Sequence, residues 1–510
     1  MSATRKGVQL CGLLDASCDR NGDKPAIGND ERQYTFLQLR QLSDQLATAF
    51  VRAGLRGERI ATLLPNSVEL IACYFGCWRA GAIVVPFEYV DAPPEIRYGL
   101  RDSGARWLIV HEEKLADLAQ VDLSQTAVDS VFVVGAASSG YRNFDELAVA
   151  AADPLPEVPP ETPAFILYTS GSTALPKGVV HSHASAEGII ESVLSALDKV
   201  NGDSRMVIHD SISHMGGWIE AFPLLFVGAT IVLEKEFDVA RFYTGLRRWR
   251  PTIVGAHVDH LWQMVRHPDA RRADFESVST VFTGGDELPI SLQRAFIELT
   301  GKLIQVGWGM TEAIWLTIAR QPELRRRGFM GTPVEGVRIQ ITDSSGRAVA
   351  DGTAGELWIK GPMVSPGYWR RPEADRDVFV DGWLRTGDMG LRDDAGNYWF
   401  TGRLKQLIER NSENITPGEI EQAIYRHPAI AEAAAFGVVD VNEGQVPIAY
   451  VAFKPGCEAT ETELKEFLAT QIAAFKIPLR ILAIDALPLT HSGKIDHKAL
   501  AERYQRQSAG

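Results

Sequence analysis

An α/β fold is predicted for this chain by three observations. Short β-branched runs alternate with helical patterns from about residue 60 onward, short strands separated by glycine-containing turns follow residue 330, and a mixed helix and strand stretch closes the chain beyond Arg403. The strand candidates of the first part are 60–64, 82–85, 107–110, 131–134 and 231–233, spaced as stacked βα units require. Residues 153–163, rich in Pro and Glu, read as a surface connection before a further strand at 165–168. Strands at 355–361 and 396–400 form a small β-rich section that closes the large domain. Beyond Arg403 come a helix with apolar Ile420, Ala423 and Ile424, two strand-like runs, a second helix at 463–475 and a polar tail. A boundary at Leu404-Lys405 divides the chain into domains 1–404 and 405–510.

The 510 residues, 45% hydrophobic and 23% charged, suffice for more than one cooperative core. Asp and Glu number 65 against 52 Lys and Arg, a formal net charge of -13. A phosphate-backbone partner therefore has no global electrostatic support, and nucleic acid is not an expected ligand. Residues 1–7 lack the apolar run of a signal peptide and no apolar stretch is long enough to cross a bilayer, so a cytoplasmic protein without an integral membrane segment is expected. Five cysteines, an odd count, give no disulfide framework and suit a reducing compartment. Cys73 and Cys77 share one face of the helical pattern 68–78 with no further metal ligand nearby in sequence, and they read as core thiols. Nothing in the sequence sets the oligomeric state.

The first chemistry follows the strand at 165–168. Tyr168-Thr169-Ser170-Gly171-Ser172-Thr173-Ala174-Leu175-Pro176-Lys177-Gly178 packs hydroxyls, glycines and a lysine into one turn. Exposed backbone N–H groups and hydroxyls donate to phosphate, and lysine adds a mobile positive charge. Lys177 is followed by Gly178 rather than Ser or Thr, so this is not a Walker loop. The segment resembles the phosphate loop of the adenylate-forming superfamily, which holds acyl-CoA synthetases, luciferases and peptide-synthetase adenylation domains. Ala174 stands where that family usually has glycine, which restricts the backbone there.

Further motifs follow in the family's order. Gly307-Trp308-Gly309-Met310-Thr311-Glu312 resembles the aromatic-Gly-x-Thr-Glu motif, with a ring to stack on adenine, a hydroxyl for phosphate and a carboxylate for Mg²⁺. Tyrosine is commoner in the family at the position of Trp308. Read alone, the hexapeptide also admits the lesser reading of a turn before a helix whose N-terminus Glu312 serves. Thr283-Gly284-Gly285-Asp286 resembles the segment that lies along the nucleotide, while Asp286 is also a candidate cap for the helix after Pro289. Trp383-Leu384-Arg385-Thr386-Gly387-Asp388 resembles the motif whose aspartate binds both ribose hydroxyls. By the same resemblance Arg403 meets ribose or phosphate and Lys405 is a hinge. Ser492-Gly493-Lys494 matches the terminal motif whose lysine bridges carboxylate and α-phosphate during adenylation.

The resemblance runs from roughly residue 10 to residue 500. It implies a large N-terminal domain of β-sheets sandwiched by helices plus a β-rich subdomain, and a small mobile α+β C-terminal lid that rotates about Lys405 between half-reactions. It implies ATP, Mg²⁺ and coenzyme A as cofactors, Glu312 as the metal ligand, and a small carboxylic acid activated as acyl-AMP and passed to the CoA thiol. The implied acid pocket involves His214, Gly217, Trp218, His257 and Trp315, whose rings suggest a bounded cavity for an aryl or a short-to-medium acyl acid. His214 also fits a satisfied core histidine. No aspartate of the kind that holds a substrate ammonium in amino-acid-activating relatives was matched near His214. Ser412 replaces a family glycine near the pantetheine passage, a change that bears equally on CoA and on a carrier protein, which is expected as a separate chain. The rivals are a carrier-loading ligase, an amino-acid activator and a silent adenylate-binding protein; retention of Lys177, Glu312, Asp388, Arg403 and Lys494 weighs against the last.

Overall fold

The computed structural model describes residues 10–29, 32–137, 140–150, 154–169, 176–197, 199–321, 324, 328–410, 413–440, 444–488 and 495–508. Its strands form three sheets. The longest has 14 strands and changes character along its width. From Pro25–Gly28 through Thr230–Leu233, Arg205–Ile208, Ile253–Gly255 and Thr280–Gly284 to Ile304–Met310 its neighbours are parallel. From Ile304–Met310 onward, through Ala313–Ala319, Phe329–Pro333, Tyr398–Arg403, Trp383–Arg392, Gly355–Lys360 and Arg338–Thr342, they are antiparallel. The β-rich section thus extends the sheet of the large α/β part, and the change of direction falls on the strand that carries Gly307, Trp308 and Gly309.

The second sheet has eight strands, with Ser130–Val134, Trp107–His111, Arg59–Leu63, Ile83–Pro86 and Pro163–Thr169 in parallel succession. Lys177–Ser182 returns antiparallel beside Pro163–Thr169, and Gly367–Tyr368 pairs with its outer edge. Helices Leu10–Asn21, Phe36–Arg52, Val68–Ala80, His183–Ala196 and Met215–Val227 lie between the two sheets, in one core with Val84 and Phe165 of the second sheet and Ile208 and Phe282 of the first. Ile96 and Leu100 cover the far face of the second sheet, and Phe242, Leu261 and Phe296 that of the first.

Helix Val68–Ala80 shows why such a layer forms. Ser67 caps it by accepting from the Leu70 amide at 3.2 Å, and Gly81 ends it at φ +68, a conformation open to glycine. Nearly every residue between is buried, so its apolar composition on all faces fits a helix enclosed by two sheets. Cys73 and Cys77 lie fully buried in it, unoxidised, and burial pushes both thiols up. Among the described residues no helix is long and apolar enough to cross a membrane, and no group of three His, Cys, Asp or Glu is placed to hold a metal.

The third sheet has five strands and begins at Ile408–Arg410, after the last strand of the first sheet has ended at Arg403. Its core joins Ile408, Ile415, Ala433 and Val451 to Ile420 and Ile424 of helix Pro417–Tyr425 and to Leu464 and Leu468 of helix Glu461–Ala469. This last helix is shorter than the 463–475 predicted. The Thr470 and Gln471 amides turn back onto the Phe467 and Leu468 carbonyls, closing it early.

Candidate active site

The strands Ile304–Met310 and Ala313–Ala319 form an antiparallel hairpin linked by Thr311 and Glu312. A strand, and not a helix, follows Glu312, so its reading as a helix N-terminal residue is corrected: Trp315 and its neighbours pair back onto the sheet. The hairpin needs its glycines. A β-carbon on Gly309 would stand 2.7 Å from the Trp315 amide nitrogen, and one on Gly307 would stand 3.0 Å from the Trp315 ring. Trp315 itself is 2% exposed, holds φ at +53 and packs edge-on against Phe282 at 5.1 Å.

On one side of the hairpin Glu312, 7% exposed, accepts a hydrogen bond from Tyr368 Oη at 2.5 Å. Lys177 Nζ lies 4.9 Å from the centre of the Tyr368 ring. Burial pushes the Glu312 carboxyl up, and the Tyr368 hydroxyl and the Lys177 charge oppose that shift. The sheet arranges this meeting. Tyr368 pairs with Val179 on the strand that Lys177 opens, and Lys177 faces Thr169 across the preceding pair. The Thr169 hydroxyl donates to the Lys177 carbonyl at 3.4 Å. Ser170, Gly171, Ser172, Thr173 and Ala174 lie outside the described residues, as do Ser412, Lys494 and the side chain of Lys405.

On the other side the Trp308 indole Nε1 donates to Asp388 Oδ2 at 2.9 Å. Asp388 faces Arg403 in the pairing of Trp383–Arg392 with Tyr398–Arg403, and Arg403 Nε lies 3.3 Å from Asp388 Oδ1. Asp388 is 8% exposed while the Arg403 side chain is open to solvent. Gly284 pairs with Gly307, and Gly285 at φ +80 turns the chain toward Asp286. Pro289 stands at the N-cap of helix Ile290–Thr300 and makes no side-chain cap.

Two residues that sequence reasoning missed complete this region. Tyr368 sits on a two-residue strand whose pairing is invisible locally. His181 Nε2 donates to the Thr311 carbonyl at 2.8 Å, and burial pushes the imidazole down to about 4, so it is the neutral ring that holds the turn.

Of the residues assigned to the acid pocket, His214, Gly217, Trp218 and His257 lie at the start of helix Met215–Val227 and just after strand Ile253–Gly255, while Trp315 lies on strand Ala313–Ala319. His214 is exposed and caps the helix, its Nδ1 accepting from the Gly216 amide at 3.1 Å, which removes its reading as a core histidine. Gly217 is buried where any side chain would overlap the Asp210 and Ser211 main chain. Trp218 is fully buried against Trp78, Phe165 and Phe222. His257 Nε2 lies 3.2 Å from Asp210 Oδ2. Asp210, passed over in the sequence, is thereby brought beside His214 and His257.

Comparison with known proteins agrees with this geometry. The AMP-binding enzyme family matches residues 14–369, and the AMP-binding enzyme C-terminal domain matches residues 419–494. The chain is 32% identical over 498 residues to the indoleacetate–CoA ligase of Aromatoleum aromaticum, covering 96% of each chain. It is 31% identical over 499 residues to the fatty acid–[acyl-carrier-protein] ligase ScoC of Streptomyces coeruleorubidus, covering 95% of this chain and 94% of that one. It also superimposes on the anthranilate CoA ligase AuaEII in complex with anthranoyl-AMP, with a TM-score of 0.86, 26% identity and 100% of both chains covered. With its ordered motifs and its two-part match, the chain belongs to the AMP-binding enzyme family.

Proposed function

We propose that this enzyme joins an aryl carboxylic acid to the thiol of coenzyme A in two half-reactions that share one site. In the first, a carboxylate oxygen attacks the α-phosphorus of ATP, the bond to the bridging β-phosphate oxygen breaks, and pyrophosphate leaves. In the second, the thiolate sulfur attacks the acyl carbon of the resulting acyl-AMP, the acyl C–O bond breaks, and AMP leaves.

The observation that carries this reading is the single hairpin that sets Glu312 against Tyr368 and Lys177 on one side and Trp308 against Asp388 on the other. Trp308 offers a π-face for adenine, Asp388 and Arg403 meet the ribose, and Thr169, Ser170, Gly171, Ser172, Thr173, Lys177 and Thr311 serve the phosphates. Gly284, Gly285 and Asp286 line the nucleotide's other edge. The family implies Mg²⁺. Glu312 suits it, because its buried carboxyl has its proton affinity raised and a cation would relieve that; a single carboxylate with phosphate oxygens and waters is an ordinary magnesium environment. Bound there, the ion would neutralise charge on the departing pyrophosphate. Lys494 supplies the charge that brings carboxylate and α-phosphate together, and Lys405, between strands Tyr398–Arg403 and Ile408–Arg410, is the hinge of a lid from 405 to 510.

Likeness to ligases of indoleacetate and anthranilate supports an aryl acid, and likeness to a carrier-protein ligase keeps a carrier thiol as the second reading for the acceptor. The test is acid-dependent pyrophosphate release from Mg-ATP with aryl, short and medium acids, using wild type and Lys494→Ala, with CoA or a carrier protein as acceptor. Release that needs the acid, collapses in the variant and rises with CoA is the expected result. No release with any acid returns the silent-binder reading.

A further inference from the structure

Helix Met215–Val227 carries a carboxyl group that its surroundings do not explain. Glu220 is 3% exposed, flanked by buried Ile219 and Ala221, and its Oε2 has no hydrogen-bond partner. Burial foremost, and then the neighbouring Asp210, push its carboxyl well up. The fold makes room for it: a β-carbon on Gly255 would overlap Glu220 Oε1. A buried acceptor left unsatisfied is costly, and an apolar residue would fill such a place at no such cost.

The groups around it are rich in acceptors. Asp210, with its side chain 8% exposed, reaches His257 Nε2 at 3.2 Å and His260 Nδ1 at 3.8 Å. Glu88 bonds Ser211, and burial followed by Asp210 pushes its carboxyl up as well. Asp210 is thus the shared neighbour: it meets both imidazoles, and its charge acts on Glu88 and on Glu220. At Gly216 the missing side chain leaves a gap toward which His214 Nδ1, Asp210 Oδ2 and His257 Cε1 converge, 3.4, 3.8 and 4.0 Å from where a β-carbon would stand. His214 is exposed and the His257 side chain is 43% exposed, so the gap opens outward between the segments assigned to the acid.

We infer that Glu220, with Asp210 beside it, recognises a hydrogen-bond donor carried by the substrate acid at the end away from its carboxyl group. The substrate class is then aryl acids bearing an N–H or O–H group, amines included. This rests on the acid-activating function proposed above. An acid without the donor leaves Glu220 unsatisfied in the complex, and a site built to accept a hydrogen bond discriminates against the analogue that lacks it.

Acid-dependent pyrophosphate release with matched pairs tests this: phenylacetate against 4-hydroxyphenylacetate and 4-aminophenylacetate, and 3-phenylpropanoate against its 4-hydroxy derivative. Wild type is expected to favour the donor-bearing member by about tenfold or more in kcat/KM. Glu220→Leu should bring that ratio close to one, while Glu220→Gln, which keeps an acceptor, should retain part of it. Equal kcat/KM within the pairs in wild type overturns the inference without any variant. A ratio unchanged in Glu220→Leu, shown to be folded by circular dichroism, overturns it too. Activation of every acid alike sinks this subsite alone, whereas absence of release with any acid sinks the proposed function with it.

Discussion

Trp308 and Asp388, 80 residues apart, are joined by a hydrogen bond from the indole Nε1 to the carboxylate Oδ2 at 2.9 Å. The bond fixes the ring that is proposed to stack on adenine relative to the carboxylate proposed for the ribose. Arg403 Nε lies 3.3 Å from the other oxygen, Asp388 Oδ1. Trp308→Phe retains a π-face and loses the donor. A hydrogen bond to a charged group is worth about 1.5 to 3 kcal/mol, so the KM for ATP should rise about tenfold or more with kcat little changed, read by pyrophosphate release at varied ATP.

Glu312→Gln separates catalysis from stability. The amide can still accept from Tyr368 but offers no charge to a cation, and release of pyrophosphate should fall on the order of a hundredfold. Because the folded carboxyl is held above its ordinary value, the native state keeps a proton that the unfolded chain has lost, and wild type loses stability as pH rises through the folded value. The glutamine variant escapes that loss. Without ligands it should melt higher than wild type, by a margin that widens as pH rises above the ordinary value of 4.5. A margin that stays flat above that value would contradict the burial argument.

Gly309→Ala forces a β-carbon against the Trp315 amide, and the nearest atoms belong to backbone that cannot swing away. Overpacking of this kind costs about 1 to 3 kcal/mol. The melting temperature should drop, and kcat/KM for the acid should drop further than stability alone explains, since the displaced turn carries Thr311 and Glu312. Comparing activity well below the melting transition tells the two effects apart.

His183 is fully buried with neither ring nitrogen bonded, and burial pushes its imidazole down to about 4 from 6.5. Between those values the unfolded chain binds the proton and the folded one does not, so stability falls as pH drops through the interval. His183→Leu removes this contribution. Its advantage over wild type should be small at pH 7 and grow toward pH 4 by up to about 3 kcal/mol, measured by denaturant titration at stepped pH. An advantage that shrinks on acidification would refute the assignment.

The local sequence determined the alternation of strands and helices, the buried helix of Cys73 and Cys77, and the order of motifs from Lys177 to Arg403. Each of these rests on short-range periodicity or on residue types gathered within a few positions. Tertiary structure alone decided which of them meet. Tyr368 reaches Glu312 because a two-residue strand pairs with the edge that Lys177 opens; Trp308 reaches Asp388 because antiparallel strands bring distant residues into register; and Asp210 meets His257 although 47 positions of chain separate them. Those are long-range pairings, set by sheet register and by glycines that let backbones close on one another, and no local window of the chain contains them.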